Sequence, residues 1–314
     1  MLTTLIWLLQ WGYSSSLLSK IAVGDDSGFA SIAVGKIASV VASLTGIRVV
    51  DLTHLWAGPL CTRILVDLGA EVVKVEAAER PDGLRLVASD DCRIPSFDRL
   101  NWGKKLLAIN LRYADARKVL ADLIAASDVV VDNYAPRVVD NWGLGWEVVS
   151  KWSRPILWVA MPAYSSAGRY GAYSARGSGL EAISGMATSR YDSGRPHFYP
   201  FPVTDPLSGW HASLAVMAGL HEVAATGRSL RIEVAQSEVA LQLVALSRID
   251  EMTSLREAVS FPVLDDVSPP YRGSVRATGM DTAAILRSLG YKDSYIQCLI
   301  QSGAVHVAGD SDGS

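Results

Sequence analysis

Ile47-Arg48-Val49-Val50-Asp51-Leu52, then a helical stretch over residues 59–68, then Glu71-Val72-Val73-Lys74-Val75, is the stretch that decides the fold. The first run is β-branched and largely apolar, as a parallel strand covered on both faces requires. The second carries apolar residues at helical period and stops at Gly69. The third reads as another strand. Further outward, residues 106–111, 128–131, 156–160 and 230–234 read as strands. Residues 114–126, 146–152, 180–187, 207–225 and 238–246 read as helices. Strands alternating with helices across short connections predict an α/β fold with a doubly wound, largely parallel sheet over residues 45–250. Residues 1–44 are expected to form an N-terminal extension. Residues 251–314 are expected to return to the large domain, with a loop at 258–280 and helices at 282–289 and 294–301.

The 314 residues are 49% hydrophobic and 19% charged, which excludes a disordered chain and supplies a large core. A net charge of -3 leaves no electrostatic footprint for nucleic acid. Cys61, Cys92 and Cys298 form neither a disulfide framework nor a CxxC pair, so the reduced cytoplasm is the expected location. The five histidines lack ligand spacing, and no metal is expected. No apolar run reaches the length of a membrane span. The apolar start at residues 2–9 has no basic residues ahead of it, against a secretory signal.

The turn after the first strand, Thr53-His54-Leu55-Trp56-Ala57-Gly58-Pro59, lacks the GxGxxG fingerprint, and GxxxxGK[ST] occurs nowhere. Nicotinamide and ATP therefore lose their main support. The turn is either a plain tight turn or a set of backbone donors for a phosphate. Asp205, in Val203-Thr204-Asp205-Pro206-Leu207-Ser208-Gly209, also reads two ways. It is an N-cap of the helix that follows, or a carboxylate nucleophile or base at a helix start. His54 and His211 are either acid–base groups or structural. Arg85, Lys104, Lys105 and Arg112 are either a solvated basic face or a phosphate pocket.

Taken together, these segments resemble the class III CoA-transferase family. The resemblance opens at Thr45-Gly46-Ile47-Arg48 and runs through Ala57-Gly58-Pro59 and Asp67-Leu68-Gly69-Ala70-Glu71. It continues in Asp82-Gly83-Leu84-Arg85, Asn101-Trp102-Gly103-Lys104-Lys105, residues 128–134, Trp142-Gly143-Leu144-Gly145, residues 205–211 and Thr226-Gly227-Arg228. It ends in residues 279–305. It implies that Asp205 is a nucleophile on an acyl-CoA thioester, so that CoA passes between carboxylic acids. It further implies that His54, Leu55, Trp56 and Ala57 line the CoA, with Ile109, Arg112, Asn133 and Tyr134 around its nucleotide; Arg85 and Lys104, from the basic stretch, and Arg137 are the further candidates for its phosphates. CoA is then a substrate, with no tightly bound cofactor, and the assembly a homodimer in which Ile285, Leu286, Leu289 and Ile296 need a surface to bury them.

The sequence departs from the family's pattern in four places. The segment 245–261 is too short for the family's small domain with its glycine-rich loop, so that domain is expected to be missing. Trp56 replaces the glutamine of formyl-CoA transferase. Ala77 and Asn141 stand where the family often has phosphate-binding arginines, which leaves Arg137 to compensate. Arg176-Gly177-Ser178-Gly179 replaces the catalytic histidine of the racemase subgroup. Two other readings stand beside CoA transfer: a different acyl transfer on a bulky substrate, and a non-catalytic acyl-CoA-binding or scaffold subunit.

Overall fold

A computed structural model describes residues 44–86, 96–188, 202–247 and 277–308. The chain divides into two units, residues 1–43 with 245–271 and residues 44–244 with 272–314. The second holds the sheet. All but Leu44 of the expected extension at 1–44, and most of the loop at 258–280, lie outside the described residues.

Seven strands form one sheet: β1 Arg48–Leu52, β2 Glu71–Glu76, β3 Lys105–Ile109, β4 Val129–Asp132, β5 Leu157–Ala160, β6 Leu230–Glu233 and β7 Val305–His306. Their order is β6-β5-β4-β1-β2-β3-β7. All neighbours are parallel except β3 and β7, which are antiparallel. The first six strands follow the doubly wound order, which reverses between β1 and β4.

Alternation along each strand builds two cores. Val50, Leu52, Val73, Val75, Leu107 and Val130 face one side, under helix Ala114–Ala125 and two C-terminal helices. Val49, Val72, Val129, Val131, Leu157 and Val159 face the other, under helices Ala57–Asp67 and Thr204–Thr226. In chain order the helices are α1 Ala57–Asp67, α2 Ser96–Asn101, α3 Ala114–Ala125, α4 Val138–Asn141, α5 Trp146–Val149, α6 Gly177–Ile183, α7 Thr204–Thr226, α8 Gln236–Ser247, α9 Thr282–Ser288 and α10 Asp293–Gln301. The helix expected over 146–152 is a single turn, and β7 adds an edge strand that two residues are too short to announce. Ile285, Leu286 and Ile296 are buried in the β3 and α3 core of their own chain. Their burial in their own chain removes that ground for the homodimer, which the family resemblance alone then implies.

The same alternation sends Asp51, Lys74 and Glu76 inward on the α1 side. Asp51 Oδ2 accepts from Lys104 Nζ at 2.9 Å and from Thr62 Oγ1 at 2.6 Å, while Oδ1 accepts from Thr53 N–H at 2.9 Å. Lys104 Nζ also donates to Asn101 Oδ1 and the Pro59 carbonyl. Lys74 Nζ donates to the Thr53 carbonyl at 2.7 Å and lies 3.1 Å from Asp82. Burial alone would raise the Asp51 pKa. Lys104, Lys74 and the threonine hydroxyls overcome it and hold the carboxyl down at about 2.

Removing one member of such a pair strands the other in low dielectric. Lys104→Met is expected to cost about 3–5 kcal/mol. Lys105→Met, which breaks an exposed pair with Glu71, should cost less than about 1 kcal/mol. Urea unfolding of the two variants tests the contrast, and equal losses would contradict it.

Candidate active site

In this strand order the crevice lies outside the carboxyl ends of β1 and β4, and four of the expected residues meet there. The Asn133 side chain clamps the backbone of His54, accepting its N–H at 2.9 Å and donating to its carbonyl at 2.8 Å. His54 Nε2 lies 2.9 Å from the Tyr134 hydroxyl. Leu55 adopts a left-handed φ of 66°, uncommon for a side chain of its size. Its N–H donates to the Asp82 carboxylate at 3.1 and 3.2 Å. The N–H groups of His54 and Leu55 are therefore spent inside the protein. The reading of this turn as a phosphate cradle is corrected at those two positions.

Burial lowers the His54 pKa, and Lys74 pushes the same way. Asp82, 3.9 Å from Nδ1, opposes them only in part. Burial, aided by Asp51 and Asp132, raises the Tyr134 phenol. Both groups are accordingly neutral at neutral pH and joined through one hydrogen bond. Trp56 packs partly buried against Leu84, Phe97 and Leu100. Ala57 is buried at the start of α1.

Asp205 occupies the second position of α7, and the cap position is Val203, which offers no side-chain acceptor. The cap comes from another helix. Glu181 of α6 accepts the Val203 N–H at 2.7 Å and stands 3.4 Å from the Thr204 N–H. Asp205 is thus not the N-cap. α7 reaches α1 through Gly209, where a Cβ would come within 2.6 Å of the Ala57 carbonyl. One helical turn separates Gly209 from Asp205. α6 reaches the carboxylate through Gly177, where a Cβ would lie 2.9 Å from Asp205 Oδ2. Burial pushes Asp205 up to about 6, and the Glu181 charge adds to the shift. The helix start favours an anion, but desolvation outweighs it. Among the described residues, the buried side-chain oxygens without a hydrogen-bond partner are Glu181 Oε2 and Ser208 Oγ, both at this junction. Buried orphans of this kind call for an explanation, and a catalytic role is one.

Other expected residues lie elsewhere. Lys104 is buried and held by three acceptors. Ile109 points into the core beside Leu107 and Leu120. Arg85 is bound bidentately by Glu76 and stacked on Phe97, with its guanidinium carbon 3.5 Å from the ring centroid. Arg112 is exposed. His211 is exposed, with Nδ1 on the Leu207 carbonyl of its own helix. The basic residues of this region thus do not converge on one pocket. Tyr134 and Arg137 line a cleft of about 300 Å³ beyond β4, β5 and β6, with Asp132, Trp146, Trp158 and Glu233. Burial pushes Asp132 up to about 6 despite a bond from Trp158 Nε1. Sequence reasoning missed Glu181, Asp82 and Lys74. Asp82 and Lys74 stand inside quoted stretches, Lys74 as a charge in an otherwise apolar strand, while Glu181 gave no local signal.

The profile of CoA-transferase family III matches residues 44–272, and the chain belongs to that family. It is 30% identical over 266 residues to a formyl-CoA:oxalate CoA-transferase of Streptomyces coelicolor, covering 82% of this chain and 64% of that protein. It is 31% identical over 205 residues to a succinyl-CoA–L-malate CoA-transferase beta subunit of Chloroflexus aurantiacus, covering 62% and 49%. The chain thus spans less than two thirds of the length of these relatives. Among solved structures, protein Rv3272 of Mycobacterium tuberculosis matches at TM-score 0.56 and 28% identity, over 68% of this chain and 57% of that one. Among the described residues no helix is long and apolar enough to cross a membrane.

The raised Asp205 pKa makes a prediction independent of turnover. A carboxyl whose folded pKa exceeds its unfolded value of about 3.9 contributes stability at low pH and loses it as pH rises through about 6. Asp205→Asn does not ionise. Its melting temperature relative to the parent should therefore increase between pH 4 and pH 8. A difference that stays flat across that range would show an unshifted carboxyl.

Proposed function

We propose that this chain transfers CoA between carboxylic acids, with Asp205 as the nucleophile. The observation that carries the reading is a desolvated carboxylate in the first turn of α7, relieved of capping by Glu181. Family membership supplies the reaction class. An Asp205 oxygen attacks the thioester carbonyl, the C–S bond breaks and CoA thiolate leaves, forming a mixed anhydride. The thiolate then attacks the Asp205 carbonyl and releases the first acid as carboxylate. The acceptor carboxylate attacks the aspartyl thioester, and thiolate return to the acceptor carbonyl frees Asp205. No net proton is consumed, so the site needs a poised anion rather than a proton relay.

Names among the relatives suggest a short acyl donor and a dicarboxylic acceptor. The neutral His54–Tyr134 pair and the rigid β1–α1 turn would form the wall beside the thioester. Four carboxylates in the cleft beyond β4, namely Asp132, Asp140, Glu147 and Glu233, outnumber Arg137 and Arg231. They argue against the CoA phosphates lying there. A reducing compartment suits the unpaired Cys61 and Cys298.

Asp205→Asn preserves size and removes the nucleophile. Transfer from formyl-CoA to oxalate and from succinyl-CoA to malate should fall by about 10⁴–10⁶-fold. Intact mass after acyl-CoA and hydroxylamine should reveal an adduct on the parent and none on the variant. A variant that keeps its transfer rate would overturn the nucleophile assignment. A parent that binds acyl-CoA, forms no adduct and turns over neither pair would favour the non-catalytic binding subunit.

A further inference from the structure

We propose that Glu181 is a positioning residue that sets the reactivity of Asp205, anchoring the turn that carries it and keeping an unneutralised charge beside it. The proposal rests on the reading of Asp205 as nucleophile. Glu181 is 1% exposed. A carboxylate has room for about four hydrogen bonds, yet this one is used on one side only. Oε1 takes the Val203 N–H and approaches the Thr204 N–H and hydroxyl, next in sequence to Asp205. Oε2 has no hydrogen-bond partner among the described residues. Gly177, one turn earlier on α6, brings that helix into contact with the Asp205 carboxylate itself. One short helix therefore both caps α7 and presses on its candidate nucleophile.

No described cation on the surrounding elements is placed to neutralise the pair. On α6, Glu181 is the only charged residue, and Arg176 at its N-cap is exposed. On α1, Arg63 and Asp67 are paired with each other. β5 carries no charge. On β6, Arg231 and Glu233 are paired with each other. On α7 itself His211 is exposed and bonded to its own helix, while His221 and Glu222 lie about 24 Å along the axis.

Two carboxylates in a desolvated junction repel each other, and the repulsion falls on the anion that must react. When Asp205 attacks the thioester, its oxygen–carbon bond forms, the C–S bond breaks and the electron pair leaves on CoA sulfur. Asp205 becomes a neutral anhydride and then a neutral thioester. The Glu181 charge is therefore felt in the resting site and relieved along the reaction, a difference between ground and transition state that speeds the step. The same repulsion makes Asp205 more basic, and a more basic carboxylate is the stronger nucleophile once ionised.

The test is a carbon-detected NMR titration of protein labelled at aspartate and glutamate carboxyls, with Asp205 assigned by its loss in Asp205→Asn. The parent Asp205 resonance should titrate near pH 6. Glu181→Gln keeps an oxygen for the Val203 N–H and removes the charge. It should lower that midpoint by at least one pH unit, a tenfold change in proton affinity, and move the acid limb of kcat/KM with it. KM for the acyl-CoA should stay unchanged. Glu181→Asp, which keeps a charge on a shorter side chain, should lower the midpoint by less, a readout that survives if Glu181→Gln fails to fold. Midpoints that do not move in either variant overturn the proposal. Transfer retained by Asp205→Asn overturns the nucleophile reading alone, since the titrations report the coupling without turnover.

Discussion

The buried pairing of Asp51 with Lys104, and of Lys74 with Asp82, is the constraint on which the rest of the large unit depends. These four side chains come from β1, from the residue before β3, from β2 and from the loop after β2. All are buried. Each charge is expensive in the interior unless its partner is in place. The strand ends, the α2–β3 connection and the β1–α1 turn must therefore assemble together. Thr53 is the link between the two pairs, since its N–H and hydroxyl serve Asp51 and its carbonyl serves Lys74. The next residues, His54 and Leu55, inherit that rigidity. Leu55 keeps its left-handed backbone because Asp82, itself fixed by Lys74, accepts its N–H.

At the α6–α7 junction the electrostatic logic runs the other way. Around Asp51 two lysines and two hydroxyls overcome desolvation and lower the pKa. Around Asp205 the only described charge with a resolved effect is another carboxylate, and desolvation wins. The fold thus holds one aspartate as a permanent anion and keeps a second near its protonation point. Asp51 sits near the end of β1 and Asp205 in the first turn of α7, and the difference lies in their neighbours. That contrast separates a structural carboxylate from one suited to chemistry.

Legibility in the sequence followed the range of the interactions. Buried parallel strands announce themselves as runs such as Val129-Val130-Val131, so β1 to β6 and their helices could be read locally. Asn133 and Tyr134 were found through the family resemblance, and the structure brings both against His54. Lys104 was misplaced because basic residues close in sequence carry no mark of direction. Its partner Asp51 lies 53 residues away. The capping role given to Asp205 as one alternative fails for the same reason. The true cap, Glu181, is 22 residues from Val203 and reaches it only because α6 folds back on α7.

The absence of a dinucleotide fingerprint also acquires a physical meaning. In a dinucleotide-binding turn, glycines supply the tight bend and leave backbone donors free for pyrophosphate. Here the bend is made by Leu55, and its donor is neutralised by the Asp82 carboxylate. An anionic diphosphate at that spot would meet a buried carboxylate instead of open N–H groups. At His54 and Leu55 the switch-point crevice offers no open N–H groups to a pyrophosphate. What it presents is the imidazole of His54 against the phenol of Tyr134, each shifted toward its neutral form. A neutral wall suits an uncharged thioester better than a phosphate. In the proposed reaction the charge is left to α7, where Asp205 stands one turn from the Gly209 contact that ties that helix to α1.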